Sequence, residues 1–457
     1  MEDPKTSGLR VIIIGGAITG LTLAHCLDKA DIDYVVLEKH QDIRANIGGS
    51  IGLQPNGLRI LDQVGVYDHL KKWRNDTDVM KPILPDGFCL GYPMTMVRRA
   101  GVLDALYTSL KDQSKIKLGA KVVSINRSLA PDGRLRVDTE DGQHYTGDVV
   151  VGADGVHGIA RAQMWRMMDQ KKPGMITDQE RESMTVDYIG IFGITEPIES
   201  ITDSLNPTEM YVPSYPKANW FVQAHVDNTV TWCLNLRLDK TYLLREFHRW
   251  SPEQVSEKMK DFLEYDIWGS IKFRHLWERT TTVSAAPLYE GLMTTWTFGG
   301  IACIGDSVFK LTTVTGKGAN ISIESAAALA NTLHQLSVRE RKPSNAEIQA
   351  ALAESVEGVQ RKLRTVSAVS YRATRVCTLE SVQEWFFFRY LCPMTWRILF
   401  SVTFNEFRTA ETLSYLPLPH RAIRAAERLG NAQRRKKMMI GLGALIGLGV
   451  CYYCFPL

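Results

Sequence analysis

A glycine-rich turn near the start of the chain combines residue types that suit phosphate binding. The turn, residues 15–20, reads GGAITG and follows a β-branched run at residues 11–14, which is typical of a strand buried on both faces of a sheet. Gly15 permits a tight turn, and the helix that follows directs free N–H groups and a partial positive charge at a pyrophosphate. Gly20 lets the helix and the strand approach closely. The segment therefore predicts a phosphate-binding loop.

The next β-branched run, residues 34–37, ends at Glu38, close to the spacing at which an acid accepts hydrogen bonds from a nucleotide ribose. An acid there favours an adenosine without a 2′-phosphate, as in FAD or NAD. The middle glycine of this pattern is replaced by Ala17, although Gly16 stands beside it. Strand, turn, helix, strand and acid in this order predict a dinucleotide-binding fold of the Rossmann type.

Two further stretches favour FAD over NAD. Residues 48–57 are glycine-rich and run into a predicted helix at residues 58–64, although a surface loop is the alternative. Arg99 stands at the start of an amphipathic helical pattern, where its side chain could contact the phosphates of a cofactor. Arg98 is adjacent, and periodicity alone does not choose between the two arginines.

Two later segments complete a family pattern. Residues 149–161 read VVVGADGVHGIAR, and residues 304–310 read IGDSVFK, followed by GKGAN at residues 316–320 and by Glu324. With the first turn, they resemble the flavoprotein monooxygenases related to para-hydroxybenzoate hydroxylase. The likeness is closer to a fungal branch that epoxidises or hydroxylates prenylated natural products, and GLTLAHCL at residues 20–27 is part of it.

This resemblance implies FAD as the cofactor and NADPH or NADH as the reductant. Its second motif touches both the flavin and the nicotinamide nucleotide, and its third places an aspartate on the ribitol or pyrophosphate. The implied or predicted cofactor-binding residues are Glu38, Gly52, Arg99, Asp306 and Ala319, together with Gly15, Gly20 and Asp154.

We expect an α/β fold with a Rossmann-type FAD-binding domain, an inserted β-sheet substrate domain and C-terminal helices. The predicted boundaries are residues 1–170 for the first part of the FAD-binding domain, 171–288 for the β-rich substrate domain, 289–370 for the second FAD-binding part, 371–433 for a helical region and 438–457 for a transmembrane anchor.

In enzymes of this family NAD(P)H reduces FAD, O₂ adds to the reduced ring as a hydroperoxide, and one oxygen atom passes to the substrate. By resemblance we expect epoxidation of the prenyl chain of a meroterpenoid or related terpenoid in fungal secondary metabolism. Hydroxylation of an aromatic polyketide or phenol is the alternative. The middle segment alternates polar and apolar residues and is rich in aromatics, which suits one wall of a pocket for an apolar guest.

No catalytic residue is assigned. Asn219, Tyr211 and Arg161 are candidates for mutation, and His157 is a further candidate for phosphate or proton-transfer contact, although a histidine in a turn is more often simply hydrogen-bonded. Scattered cysteines and histidines show no metal-ligand spacing. A net charge of +4 gives no reason to expect nucleic acid as a partner.

The chain departs from the family pattern at four positions. Relatives usually carry histidine at Phe309, proline at Thr313, serine near Gly158 and tyrosine at Asn219. By resemblance the first three positions line the flavin and nicotinamide side, and the last faces the substrate. These departures leave open a flavin-binding scaffold at the membrane that has lost turnover.

Residues 438–457 are uncharged and apolar, and a basic cluster at residues 434–437 precedes them. This pattern predicts a single-pass C-terminal membrane anchor with a cytoplasmic catalytic body, at the endoplasmic reticulum. A buried terminal helix is the alternative. Residues 385–404 are also apolar, but Arg389 and Arg397 make a helix packed on the body or at the interface the better interpretation. We also consider a membrane-bound terpene cyclase of the same pathway as a partner.

Overall fold

The computed structural model describes residues 8–43, 49–73, 92, 94–127, 133–199, 205–206, 209–225, 227–392, 394 and 406–423. Across these residues the chain combines a mainly parallel sheet, covered on both faces, with a large antiparallel sheet and smaller hairpins. This is an α/β architecture with a second, β-rich unit inserted between strands of the first.

The first half of the chain supplies most of the parallel sheet and the helices that cover it. Its elements are β1 (Arg10–Ile14), α1 (Ile18–Lys29), β2 (Asp33–Glu38), β3 (Ser50–Leu53), α2 (Pro55–Gln63), β4 (Thr95–Arg98), α3 (Arg99–Thr108), β5 (Ile116–Leu118), β6 (Val122–Arg127), β7 (Leu135–Thr139), β8 (His144–Gly147), β9 (Val149–Gly152), α4 (Ile159–Lys171) and α5 (Asp178–Arg181).

The second half supplies the antiparallel sheet and the long C-terminal helices. Its elements are β10 (Met184–Thr195), β11 (Ser214–Tyr215), β12 (Ala218–Ala224), β13 (Val230–Leu243), α6 (Pro252–Met259), β14 (Asp266–Trp268), β15 (Ile271–Lys272), α7 (Phe273–Trp277), β16 (Thr280–Leu292), β17 (Thr297–Phe298), β18 (Ile301–Cys303), β19 (Phe309–Lys310), α8 (Gly318–Ser337), α9 (Asn345–Cys377) and α10 (Val382–Phe386).

The first sheet has the strand order β17-β18-β9-β1-β2-β5, and all pairs are parallel except β17 with β18. Its central strand, β1, is buried from Val11 to Ile14, as expected for β-branched residues covered on both faces. Helices α1, α3 and α8 pack on one face, and the β6-β7-β8 sheet with α4 covers the other. The carboxyl ends of β1, β9 and β18 therefore meet at one edge, where the three sequence motifs begin.

The second sheet has the order β11-β12-β13-β10-β16-β19 and is antiparallel. Because strand side chains alternate between faces, Trp220 and Trp232 point to one side, where they pack with Phe273 under α6 and α7. The intervening residues of β12 and β13 belong to the opposite face, called the inner face below.

The predicted helices are present with longer bounds. The helix expected at residues 58–64 begins at Pro55, because proline suits the first helical position, where no N–H is needed. In the predicted C-terminal helical part, α9 spans Asn345–Cys377, with a capping box formed by Ser344 and Glu347.

The predicted membrane anchor requires correction. Within the described ranges no helix is both long enough and apolar enough to cross a bilayer. At the start of the apolar stretch at residues 385–404, the five-residue helix α10 continues as one π-helical turn at Phe387–Leu391. The predicted anchor itself, residues 438–457, lies outside the described residues. We therefore withdraw the single-pass anchor and the localisation that was built on it.

Candidate active site

The first turn brings backbone atoms unusually close together. Gly15 has a φ of 106°, and its N–H donates to the Leu37 carbonyl at 2.9 Å. A Cβ on Gly20 would lie 1.9 Å from the Gly15 carbonyl oxygen, and a Cβ on Gly15 would lie 2.4 Å from the Ala153 carbonyl oxygen. These contacts explain why glycine is needed at both positions.

Glu38 ends β2 directly beside this turn. Its Oε2 accepts from the Gly16 N–H at 2.7 Å, and its Oε1 accepts from the His40 N–H at 2.9 Å. The carboxylate is buried, yet an ionised carboxylate has lone pairs for more acceptor contacts than these two. It is therefore oriented at the mouth of the turn with capacity left for a ligand hydroxyl.

Three helices that begin near this edge lack side-chain caps, whereas several other helices have them. No side chain caps the N-terminus of α1, α2 or α8. By contrast, Ser251 caps α6 and Ser344 caps α9. The uncapped first-turn N–H groups of α1, α2 and α8 remain available to an anionic or polar ligand.

The second glycine-rich stretch is joined to the third motif by Asn320. The Asn320 Oδ1 accepts from the Gln54 N–H at 2.8 Å, and the Asn320 Nδ2 donates to the Gly52 carbonyl at 2.8 Å. The same amide donates to the Gly316 carbonyl at 2.9 Å. Ala319 lies in the first turn of α8, next to this junction. We call residues 15–20, Glu38, residues 50–57 and residues 313–320 together the cofactor cradle.

The two adjacent arginines have different surroundings. Arg98 donates to Asp227 at 2.9 Å and to Thr229 at 2.9 Å, so it ties β4 to the antiparallel sheet. Burial lowers the pKa of the Arg99 guanidinium, and the charge that opposes this shift is Asp306. Arg99, rather than Arg98, is thus the arginine near the predicted aspartate of the third motif. Asp306 also forms an ion pair with Lys310.

Asp154 links the second motif to the third. Its Oδ2 accepts from the Ala160 N–H at 2.9 Å, which caps the start of α4, and its Oδ1 accepts from the Ser307 hydroxyl at 2.9 Å. Burial raises the pKa of the Asp154 carboxyl, and these two donors oppose the shift. Arg161 adds a contact with the Ser307 carbonyl and donates to the Val156 carbonyl at 2.6 Å. Asp154 and Arg161 therefore hold the two motifs in register.

The inner face of the antiparallel sheet contains an apolar row. Phe221, Cys233 and Phe192 lie side by side on β12, β13 and β10 in the strand register. All three are partly exposed, unlike the tryptophans on the opposite face. A Cβ on Gly49 would lie 2.9 Å from the Phe192 ring, so this row meets the chain directly before β3.

A polar row lies next to the apolar one. Asn219 and Asn235 are directly opposite each other on β12 and β13, and both are fully buried. The Asn235 Nδ2 donates to the Asn219 Oδ1 at 3.2 Å, and the Thr313 hydroxyl donates to the Asn235 Oδ1 at 2.7 Å. Thr313 belongs to the cofactor cradle, so the inner face is the side of the sheet that meets the cradle.

Positive charges from separate segments act on His157. The His157 Nε2 lies 3.1 Å from the Tyr289 hydroxyl. Burial lowers the pKa of His157, and the neighbouring charges of Arg249, Arg161 and Lys39 lower it further. The positive potential at His157 favours an anionic group beside it.

Two residues with predicted or expected roles lie elsewhere. Tyr211 packs in the core on the far side of the sheet, where its hydroxyl donates to Glu209 at 3.0 Å. Phe309 is fully buried and stacks on Trp296 with ring centroids 6.1 Å apart. A histidine at position 309 would therefore be buried in an apolar cluster.

Comparison with known proteins identifies the family. A model described as an FAD binding domain matches residues 8–347. An FAD-dependent monooxygenase of Aspergillus versicolor is 37% identical over 85% of this chain and 80% of its own length. One of Penicillium shearii is 35% identical over 90% of this chain and 87% of its own length.

The chain belongs to the FAD-dependent monooxygenases.

Solved structures agree on the fold. Klebsiella pneumoniae HpxO, complexed with FAD and uric acid, aligns with a TM-score of 0.70 at 16% identity, covering 90% of this chain and 99% of that one. A salicylate hydroxylase in a substrate complex aligns with a TM-score of 0.63 at 16% identity, covering 89% of this chain and 100% of that one. The predicted Rossmann-type FAD-binding domain with an inserted β-sheet domain and C-terminal helices is confirmed.

The cofactor cradle of this monooxygenase fits FAD. The Gln54 Oε1 and the Ser50 Oγ are buried and have no hydrogen-bond partner among the described residues. The Arg99 guanidinium likewise forms no ion pair within the described part of the chain. Unsatisfied polar groups of this kind normally find a partner, and an elongated dinucleotide provides one for each. The individual contacts predicted above stay predictions at this point.

Sequence reasoning singled out Asn219 and Thr313 but missed Asn235, the other member of the polar row. Asn235 stands in the run WCLNLRL, where it is the polar residue at an alternate position among apolar ones. That alternation signals an inner-face position, but it does not reveal which residues lie opposite. The link to Thr313 spans 78 positions and follows only from the register of β12 and β13 with the cradle.

Proposed function

We propose that this monooxygenase uses NAD(P)H and O₂ to epoxidise the prenyl chain of a meroterpenoid or related terpenoid in fungal secondary metabolism. One oxygen atom enters the alkene, the other leaves as water, and NAD(P)H supplies the two electrons. The observation that carries the proposal is the partly exposed apolar row of Phe221, Cys233 and Phe192, which meets the chain at Gly49, directly before cradle residues 50–57.

The predicted cofactor-binding residues have separate tasks in this proposal. Gly15 and Gly20 allow the pyrophosphate to reach the backbone, and Glu38 accepts from the adenosine ribose. Arg99 neutralises phosphate charge, and Asp306 binds the ribityl or pyrophosphate part. Gly52 and Ala319 would contact the flavin. Asp154 holds the second and third motifs together through Ser307 and caps α4 through Ala160.

Bound FAD supplies the redox chemistry: once the nicotinamide nucleotide has reduced the FAD, the reduced FAD activates O₂. The chain's own contribution is to orient the substrate and to exclude water. Phe221 and Phe192 give the alkene an apolar surface beside the cradle, and the tryptophan core behind the sheet keeps that wall rigid. Water exclusion matters because water at the site diverts the activated oxygen to hydrogen peroxide.

The cations around His157 support the use of a phosphorylated reductant. The charges of Lys39, Arg249 and Arg161 act on His157 from different segments, and phosphates are the groups that such positive charges attract. Arg249→Gln should raise the KM for NADPH with little change in kcat. Arg245→Gln, a control in the same segment whose side chain pairs with Glu182, should leave the KM unchanged. Equal KM values for both variants would exclude this docking site.

The first experiment is an absorption spectrum of the purified protein, before and after anaerobic addition of NADPH. Flavin bands that bleach identify a reducible FAD enzyme. NADPH oxidation is then measured in air with a farnesylated phenol, and the product is analysed for the gain of one oxygen atom. An epoxide opens to a diol in acid and a phenol does not, which separates the proposal from aromatic hydroxylation.

A matched pair of variants tests the apolar wall. Phe192→Asn should lower kcat/KM by about tenfold or more and divert NADPH oxidation to hydrogen peroxide. Val283→Asn, at an exposed position on the other face of the same sheet, should do neither. Unchanged coupling in Phe192→Asn would remove this wall from the proposed site.

The scaffold alternative predicts a different result in the same assay. Bound flavin with no substrate-stimulated NADPH oxidation across a panel of prenylated phenols and terpenoids would favour it. The predicted terpene cyclase partner stays a prediction.

A further inference from the structure

The polar row on the inner face is buried, an environment in which polar side chains are uncommon. Asn219 and Asn235 are both fully buried, with a relative exposure of 0%. Their strand neighbours Ala218, Trp220 and Val222 pack in the core on the other side of the sheet. Buried side-chain amides are normally satisfied by hydrogen bonds, so the partners of each amide decide what the row can do.

The orientation of the Asn235 amide is fixed by two donors. The Thr313 hydroxyl donates to the Asn235 Oδ1 at 2.7 Å, and the Cys233 thiol lies 3.6 Å from the same oxygen. Burial raises the pKa of the Cys233 thiol, so the thiol keeps its proton and remains a donor. With its oxygen occupied in this way, Asn235 presents its Nδ2 to the Asn219 Oδ1 at 3.2 Å.

The chain of hydrogen bonds ends in an unused donor. Because the Asn219 oxygen faces Asn235, its Nδ2 points away from that contact, and this buried nitrogen has no hydrogen-bond partner in the described part of the protein. An unpaired buried N–H group is costly, and an acceptor from a ligand removes that cost.

We infer that the Asn219 amide donates a hydrogen bond to an oxygen atom of the substrate, and that Asn235 and Thr313 position it for this contact. The inference rests on the proposed function and deepens it. The favoured substrate carries a phenolic, hydroxyl, carbonyl or ether oxygen at the polar row, and its hydrocarbon chain lies along Phe221 and Phe192. An indole N–H cannot accept this bond, so a prenylated indole is disfavoured relative to an oxygenated meroterpenoid.

A matched pair of probes isolates the oxygen. The FAD-loaded protein is titrated with 2-farnesylphenol and with farnesylbenzene, which share the prenyl chain and differ in the hydroxyl group. Each dissociation constant is obtained from the change in the oxidised flavin spectrum, without NADPH, so turnover plays no part. The wild-type protein should bind the phenol about tenfold more tightly than the hydrocarbon.

The variants distinguish loss of the proposed Asn219 hydrogen bond from a general disturbance of the protein. Asn219→Leu keeps a similar volume but removes the donor, so the ratio of the two dissociation constants should fall to about one. Thr313→Val keeps the shape of the side chain and removes the donor to Asn235, so the preference should shrink without disappearing. Asn345→Leu, at an exposed position remote from the sheet, should keep the full preference.

The outcomes distinguish this inference from the proposed function. If both probes bind wild-type protein equally, or if Asn219→Leu keeps the preference, the inference is overturned and the apolar site stands. If neither probe perturbs the flavin, the proposed function and the inference fall together. Should Asn219→Leu fail to fold, Thr313→Val carries the test, and an undiminished preference in that variant overturns the positioning role.

Discussion

The cofactor cradle and the charged seam both hold distant segments at close range, but they use different parts of the chain. The charged seam joins the antiparallel sheet to α9 and consists of Asp187, Arg237, Glu290, Arg375 and Glu380. In the cradle the closest approaches are between backbone atoms, as where Gly20 meets the Gly15 carbonyl. In the seam the contacts that join distant segments are ion pairs between charged side chains.

This difference sets what each region tolerates. A backbone contact leaves no side chain that can move aside, so an added atom displaces the chain itself. A buried ion pair accepts a change of shape more readily than the loss of one charge, because the remaining charge is left without a partner. The cradle should therefore be most sensitive to added volume, and the seam to lost charge.

The largest effect is expected from Gly20→Ala. Its Cβ would lie 1.9 Å from the Gly15 carbonyl oxygen, so α1 must separate from β1. We expect a loss of about 5 kcal/mol or more in unfolding free energy, with no flavin retained. Gly358→Ala in α9, where a Cβ meets nothing within 4 Å, should be neutral or slightly stabilising in the same denaturant titration. A flavin-loaded Gly20→Ala protein would show that the turn is more adaptable than its backbone distances imply.

Arg375→Met tests the seam. The Arg375 Nη1 donates to the Glu290 Oε2 at 3.0 Å, and its Nη2 pairs with Asp187. Asp187 keeps Arg237, at 2.7 Å, but Glu290 loses its cation. We expect destabilisation of about 3–5 kcal/mol in urea unfolding.

Two controls sharpen that result. Arg361→Met removes an exposed pair with Glu357 on the same helix and should cost less than about 0.5 kcal/mol. Combining Arg375→Met with Glu290→Gln should recover part of the loss, because the unpaired carboxylate is then neutral. Full loss in the double variant would mean that packing of the arginine stem, rather than charge, stabilises the seam.

Glu38→Gln tests the cofactor cradle with an isosteric substitution. The amide replaces one of the two oxygens that accept from Gly16 and His40, so an NH₂ group must face a backbone donor or the ligand ribose. FAD binding should weaken by about 1–3 kcal/mol, measured by flavin release on dilution. Glu140→Gln, which alters only an exposed pair with Lys121, serves as the control. Equal retention in both variants would remove Glu38 from the cofactor contacts.

The sequence predicts the cofactor cradle better than it predicts the charged seam. The buried β-branched run before Gly15, the glycine spacing and the acid that ends β2 are local, and each follows from backbone geometry within a few residues. The seam joins residues 187, 290 and 375, and no periodicity in α9 indicates which strand lies opposite. Arg98 and Arg99 show the same limit, since their helix position was predictable but only tertiary contacts distinguish their surroundings.

The smallest predicted effect concerns pH and Glu380, a partly buried member of the seam whose side chain is 20% exposed. Burial, followed by the charges of Glu384 and Asp187, raises its pKa from 4.5 to about 7. Arg237 lies 3.4 Å away but shares its charge with Asp187, so it does not offset the shift.

A carboxyl whose pKa is raised on folding contributes stability that is fully present below the unfolded pKa and is lost as pH rises through the folded one. Glu380→Gln mimics the protonated form, so its advantage over the wild-type protein should grow from pH 4.5 to pH 7 and stay constant above. Because water screens the partly exposed carboxylate, we expect a rise in Tm of only about 1–3 °C at pH 8 and almost none at pH 5. Glu354→Gln, an exposed change on α9, should show no such pH dependence. If Glu380→Gln changes the Tm equally at both pH values, ionisation of Glu380 does not destabilise the folded protein. The charges of the seam would then be fully compensated.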